Sequence, residues 1–190
     1  GFSLVGGPAY NDSKAAEAML AHFADPDGGF YFTADDHEAL ILRPKTYSDD
    51  ATPAGNGVAV RVLVRLGYLL GETRYIDAAA ATLRSAWAAM ERYPHGHGTL
   101  LMALEEFLAP PTILVLRGSA DELELWRSEL DKLYDPQRMI VGVPSGAQDL
   151  PPALAGKTPG AGPVAYVCRG TTCSPPVRSL AQLVRELRSQ

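Results

Sequence analysis

The sequence predicts a mainly α protein: helical hairpins over residues 1–110, followed by a small α/β module over 111–190. Three observations carry this expectation. Apolar residues recur at helical spacing through most of the first hundred residues. After Pro110-Pro111 the pattern changes to β-branched and aliphatic runs separated by one amphipathic stretch. The early helices also carry apolar residues on more than one face, so they are expected to sit beside additional hairpins, as in part of a closed ring.

The first helix follows the cap candidates Asn11-Asp12-Ser13, with Ala15, Ala18, Met19, His22 and Phe23 at helical spacing, and Pro26 and Gly28-Gly29 end it. The second spans Gly55 to Leu70. Val58, Val62, Leu66 and Leu69 form one face, Val60, Leu63 and Val64 widen it, and Gly71 is a good stop. The third runs from Arg74 to Arg92 on a stripe of Ile76, Ala79, Ala80, Leu83, Ala86, Trp87 and Met90. After the turn Tyr93-Pro94-His95-Gly96-His97-Gly98, a fourth helix is expected from about Thr99 to Leu108.

In the second part, Thr112 to Leu116 reads as a buried strand. Ser119 and Glu122 form a capping box that opens a helix on Leu123, Trp126, Leu130 and Leu133. Arg138 to Val143 is a second strand and Val164 to Cys168 a third; Pro144 to Gly162 is a long loop, and Val177 to Leu187 a closing amphipathic helix.

Composition excludes several classes. Of the 190 residues, 46% are apolar and 21% charged, the balance of a folded domain rather than a disordered one. Residues 1–110 hold 8 Lys/Arg against 14 Asp/Glu, and the remainder holds 9 against 8, so neither part has the basic stripe of a nucleic-acid binder. The longest apolar stretch, Val58 to Leu70, is broken by Arg61 and Arg65 and is too short for a membrane span of about 20 residues. Low cysteine usage and the lack of a signal-peptide pattern point to the cytoplasm. The chain starts at Gly1 and is expected to be part of a longer polypeptide.

The densest polar constellation is the run from Gly28 to Lys45. Its aromatic part, Phe30-Tyr31-Phe32, and its aliphatic part, Ala39 to Leu42, read as short strands with Asp35 to Glu38 as the turn between them. Asp36, His37 and Glu38 are candidate catalytic groups, because paired carboxylates beside a histidine perform general acid/base work when burial separates their pKa values. Arg43 and Lys45 are candidate substrate-holding cations, joined by Asp50 and Asn56 from the next loop. The competing reading is a solvated turn in which Asp50 or Asn56 caps the following helix.

His95 and His97 are candidate metal ligands or a catalytic pair, against the competing reading of an exposed Gly-rich turn. Cys168 and Cys173 form a C-x4-C, which is neither the C-x-x-C of thiol exchange nor, lacking nearby histidines, a zinc site. Gly55-Asn56-Gly57 lacks the preceding strand and third glycine of a dinucleotide fingerprint. No cofactor or metal is expected.

Three separated stretches, GGFYFTADDHEALILRPKTYSDDATPAGNGVAV, YPHGHGTLLMALEEFLAPPTILVLRG and AYVCRGTTCSPP, together resemble the C-terminal part of the thioredoxin-domain-containing YyaL-like (DUF255) proteins, related to the spermatogenesis-associated proteins. The similarity runs from about Phe23 to the end. It implies an (α/α)6 toroid like that of six-hairpin glycosidases and N-acylglucosamine 2-epimerases, preceded by a thioredoxin-like domain whose C-x-x-C is not in this chain. The family's RPK triplet falls on Arg43, Pro44 and Lys45, and its Pro-small-x-Asn element on Pro53, Ala54, Gly55 and Asn56, with Ala54 where relatives often have Ser. The function implied is carbohydrate binding or modification, with a sugar-like small molecule and the rest of the longer chain as partners. The alternative is a non-enzymatic scaffold that supports the thioredoxin-like domain.

Overall fold

The computed structural model describes residues 2–3, 8–36 and 42–189. The elements in chain order are β1 (Phe2–Ser3), α1 (Pro8–His22), α2 (Gly55–Leu70), α3 (Thr73–Arg92), α4 (Gly98–Leu108), β2 (Thr112–Gly118), α5 (Ala120–Leu130), β3 (Arg138–Pro144), α6 (Pro152–Ala155), β4 (Val164–Arg169), β5 (Thr172–Cys173) and α7 (Leu180–Arg188). They fall into two compact units. One comprises residues 12–68 and 72–110; the other comprises residues 1–11, 69–71 and 111–190.

The α/β unit is built on a five-stranded mixed sheet of order β1-β3-β2-β4-β5. β1 and β2 run parallel to β3, while β4 is antiparallel to both β2 and β5. The parallel pair β2–β3 is joined through α5, the connection that parallel strands require. β2 is central, and from Ile113 to Gly118 every residue is buried, hence the aliphatic run from Ile113 to Leu116 that precedes the buried Arg117. Leu114 and Leu116 on one face of β2 pack with Trp126 and Leu130 of α5 and with Leu183 and Leu187 of α7. Ser119 starts α5 with the expected reciprocal cap: its side chain accepts from Glu122 N, and its own N–H donates to Glu122 Oε2 at 2.8 Å. Ser179 caps α7 one way only, its side chain accepting from Gln182 N.

The helical unit packs most of α1 and α2 with α3, α4 and the described connecting segments 23–36 and 42–54. Val60, Leu63, Val64, Ala79, Ala86, Leu100 and Ala103 are fully or almost fully buried. Small residues set the approach of the helices. A Cβ on Gly67 would lie 2.5 Å from Ile76 Cδ1, and one on Gly57 would lie 2.8 Å from Thr99 Cγ2. The polar brace of this core is Glu106, almost fully buried, which accepts from Arg61 (2.7 and 3.0 Å) and from Arg65 (2.7 and 2.8 Å). Burial works to raise the Glu106 carboxyl, and the bonds from Arg65 and Arg61 outweigh it and hold the group below its ordinary value.

This architecture corrects the expected fold class. A five-stranded mixed sheet and its flanking helices make up one of the two units, so the chain is α/β in content rather than mainly α. The described helices of the other unit pack as a small bundle and not as a partial (α/α)6 toroid. The physical reason lies in which residues are inside. On α2 the expected face is inside only at Leu66 and Leu69, since Val58 and Val62 are substantially exposed while Val60, Leu63 and Val64 have no exposure. On α3 the buried stripe runs through Tyr75, Ala79, Thr82, Leu83, Ala86 and Met90, leaving Trp87 half exposed.

The aromatic run also departs from expectation. Phe30 makes only an isolated bridge with Ala24, and Tyr31 to Asp36 form no strand. The expected aliphatic strand and the end of its turn, residues 37–41, lie outside the described residues. Among the described residues, no helix is long and apolar enough to cross a membrane.

Candidate functional site

The loop between α1 and α2 is held in place by side chains that substitute for a β-ladder. Gly28 and Gly29 have φ of +95° and +87°, so the chain turns there through a region that disfavours side chains. Crowding adds to the demand for glycine, because a Cβ on Gly28 would sit 2.4 Å from Ala81 O.

Immediately after, the buried Asn56 side chain takes over the hydrogen bonding of the aromatic run. Its Oδ1 accepts from Phe30 N at 2.7 Å, and its Nδ2 donates to Phe30 O at 3.0 Å and to Thr46 O at 2.9 Å. This is why Phe30 needs no neighbouring strand. Asn56 is therefore a staple of the loop, with its donors and one acceptor already engaged.

The two expected substrate-holding cations are also engaged in the loop. Arg43 donates to Thr33 O through Nε and Nη2 and to His22 O through Nη2, and its guanidinium lies 4.3 Å from the centre of the Tyr31 ring. Lys45 Nζ donates to Asp25 Oδ2 at 2.5 Å and to Gly28 O at 2.9 Å. The bond from Lys45, helped by the Asp27 N–H, lowers the Asp25 pKa from 3.8 to about 2 against the opposing effect of burial. Burial acts to lower Lys45, but its bond to Asp25 and the neighbouring Tyr47 leave it raised.

Asp49 completes the frame. Its Oδ1 accepts from Ala54 N at 2.7 Å and its Oδ2 from Thr99 N at 2.8 Å, tying the turn before α2 to the first turn of α4. Burial tends to raise the Asp49 carboxyl, and the Thr99 and Ala54 N–H groups more than offset that.

What this frame shapes is a cleft of about 640 Å³. Phe23, Phe30, Tyr31 and Phe32 supply aromatic lining, Thr46, Ser48, Asp50 and Thr52 supply hydroxyl and carboxylate groups, and Ala15, Ala18 and Met19 of α1 contribute aliphatic surface. Phe32 is 81% exposed. Asp50 is exposed too, and it is the one carboxylate among the described lining residues. Of the expected substrate-binding residues, the structure thus brings Asp50 and Asn56 to the cleft, while Arg43 and Lys45 brace the loop.

Asp36 lies elsewhere. Its Oδ2 is 4.0 Å from His22 Nδ1, and Asp35 Oδ1 is 3.0 Å from the same nitrogen. The ligand-type atoms of His22, Asp35 and Asp36 all fall within 4.8 Å of one another on an open surface. The bond to His22 is the main cause of a lowered Asp35 pKa. His37 and Glu38 lie outside the described residues.

The other sequence motifs separate. His97 is buried with Nδ1 2.8 Å from Tyr93 O, an acceptor, which makes Nδ1 the protonated nitrogen, whereas His95 is exposed and meets the edge of Tyr93. Cys168 and Cys173 form a disulfide. Reading the sequence for charged groups missed the aromatic wall and the Thr46, Ser48 and Thr52 hydroxyls. The signal is present in the Phe30-Tyr31-Phe32 run, whose spacing reads equally as a strand.

The fold and site define a two-unit α/β and helical protein whose helical unit carries a cleft with aromatic lining and one acidic group among the described lining residues. No family model matches the chain. The chain is similar to a curated Caenorhabditis elegans protein, "Uncharacterized protein B0495.5": 25% identity over 160 residues, which is 82% of this chain and 22% of that protein. The chain therefore spans about a fifth of the length of the curated relative it matches.

Proposed function

We propose that this chain is the C-terminal part of a longer cytoplasmic protein of the YyaL-like, thioredoxin-domain family, and that its helical unit binds a carbohydrate. One observation carries the binding reading: the cleft combines aromatic rings, of which Phe32 is exposed, with hydroxyl and carboxylate hydrogen-bonding groups. A pyranose presents apolar C–H faces that stack on rings and equatorial hydroxyls that pair with carboxylates and hydroxyls, so both halves of the lining have a counterpart in such a ligand. Binding is favoured over hydrolysis because glycoside hydrolysis needs two opposed carboxyl groups, and Asp50 stands alone in the described lining.

Saturation-transfer NMR of the full-length protein against a panel of mono- and disaccharides tests the proposal. Ring protons of at least one sugar should receive saturation. Asp50→Asn and Phe32→Ala should each weaken that binding about tenfold, or roughly 1.4 kcal/mol. Absence of binding by the full-length protein to every sugar would remove the reading.

The second reading, a scaffold for the rest of a longer chain, is favoured by a different surface. A groove of about 360 Å³ between α3 and α4 is lined by Ala80, Leu83, Arg84, Trp87, Leu104, Phe107 and Leu108 and is nearly all apolar. Trp87 and Leu108 are 50% and 71% exposed there. Co-purification of separately expressed upstream segments with this chain, lost in Trp87→Ser, is the outcome that favours this reading.

A further inference from the structure

We propose that the Cys168–Cys173 disulfide is a thiol–disulfide exchange site, whose substrate is an external dithiol and whose point of attack is the Cys173 sulfur. The proposal rests on the α/β unit alone and is independent of the sugar-cleft reading.

The bond joins directly opposed residues of neighbouring antiparallel strands, Cys168 on β4 and Cys173 on the edge strand β5, across the turn Gly170-Thr171. Gly170, with φ of +56°, makes that turn tight. A cross-link is worth most when it closes a long loop in the unfolded chain, and this one spans a sequence separation of only 5.

The surrounding backbone is secured without it. Ser174 N donates to Val167 O, and Ala165 and Val177 exchange a reciprocal pair of N–H···O bonds, all at 2.8 Å. Val177 is buried in the same core as Leu183 and Leu187. The chain on the far side of the disulfide is therefore anchored by its own ladder and its own apolar burial, so opening the bond leaves the sheet edge in place.

Access is asymmetric, and this sets the direction of attack. Cys168 is 5% exposed, whereas Cys173 is exposed on the outermost strand of the sheet. A thiolate of the external dithiol reaches the Cys173 sulfur and forms a mixed disulfide with it, and the Cys168 sulfur leaves as a thiolate and takes up a proton. The second thiol of the donor then attacks its own sulfur in the mixed disulfide and releases Cys173 as a thiolate, which is protonated in turn. The donor ends as a disulfide, and the two electrons it gives up reside in the two cysteine thiols. A bond that is reachable at one sulfur and dispensable to the fold has the properties of an exchanging pair rather than of a structural staple.

The test uses dithiothreitol as the donor and iodoacetamide as the trap, followed by mass spectrometry with peptide assignment. In native buffer the bond should open within about tenfold of its rate in denaturant, whereas a bond reached only by global unfolding would be slowed on the order of 10³-fold or more. Quenching early should show Cys168 alkylated ahead of Cys173, because attack at Cys173 holds that sulfur in the mixed disulfide while Cys168 is released as the first thiol. Circular dichroism of the reduced protein should match that of the oxidised one, and oxidised glutathione should restore the bond with loss of both alkylation sites. The Cys168→Ser/Cys173→Ser variant, folded by the same spectrum, should take up no label. Reduction that requires denaturant, or that unfolds the α/β unit, would overturn the proposal. So would air-oxidised protein carrying two free thiols.

Discussion

The two units solve the same problem, burying irregular apolar surface while satisfying the backbone, by opposite means. In the α/β unit the backbone satisfies itself. β2 is paired along its length with β3 on one side and β4 on the other, and the side chains are left free to be aliphatic. In the helical unit, the described segments 23–36 and 42–54 form no strand beyond the Ala24–Phe30 bridge, and polar side chains take over the backbone pairing: Asn56 on Phe30 and Thr46, Arg43 on Thr33 and His22, Asp49 on Ala54 and Thr99. Regular pairing gives a sealed core, whereas side-chain bracing leaves room between the braced segments, and the cleft is that room. Residues that look like a charged active site in the sequence are consequently the frame of a cleft whose lining is largely apolar, with four aromatic residues among it.

If this contrast is right, the two units should fail through different chemistry. The largest effect is expected in the α/β unit, where Leu114→Ala removes a fully buried side chain between β2, α5 and α7 and should cost about 3–4 kcal/mol. The effect should be read by the fluorescence of Trp126 in a Trp87→Phe background, since the chain has 2 tryptophans, one in each unit. In the helical unit the weak point is polar. Asn56→Ala leaves the Phe30 N–H and two carbonyls without their partner, for an expected cost of about 2–3 kcal/mol, followed by Trp87 in a Trp126→Phe background. Asn56→Ala should also abolish sugar binding. An Asn56→Ala protein with unchanged denaturant midpoint would break the comparison.

The same contrast explains how much of the molecule the sequence reveals. In the α/β unit the periodicities are local and unambiguous. β2, β3, β4 and α5 fall within a residue or two of expectation, although α5 ends at Leu130 instead of continuing to Leu133. The two-residue strands β1 and β5 carry no pattern long enough to detect, and they widen the sheet that makes the chain α/β.

In the helical unit α2, α3 and α4 are found almost to the residue, and their buried faces in part: Leu66 and Leu69 of α2 and Ala79, Leu83, Ala86 and Met90 of α3 are inside as expected, whereas Val58, Val62 and Trp87 are not. An apolar circumference such as that of α2 does not say which side meets a neighbour, and the Glu106 bonds to Arg61 and Arg65 turn those arginines to a partner helix. The cleft is harder still. Asp50 was recognised because it is charged, but the role of Asn56 depends on a segment 26 residues away and that of Asp49 on Thr99, 50 residues on. Spacing along the chain carries no trace of such pairings.

The smallest of the expected effects sharpens the comparison by pH. Asp25 sits at about 2 in the folded protein against an ordinary 3.8, chiefly because of the Lys45 bond, so the folded state holds the proton less tightly than the unfolded chain does. Its stabilisation is therefore complete above about pH 4 and is lost progressively as the pH falls from 3.8 toward 2. Asp49 and Glu106, held below their ordinary values by backbone N–H groups and by two arginines, act in the same direction within the same unit. Acid should thus release the helical unit first, with the Trp87 signal changing at a higher pH than the Trp126 signal. Asp25→Asn should lower the stability of the helical unit by about 1–2 kcal/mol at pH 7 and by progressively less toward pH 2. The variant and the parent would then converge in acid. Denaturant titrations at intervals between pH 2 and pH 7 measure this convergence, and parallel curves for the two proteins would show that the Lys45–Asp25 contact does not brace the loop.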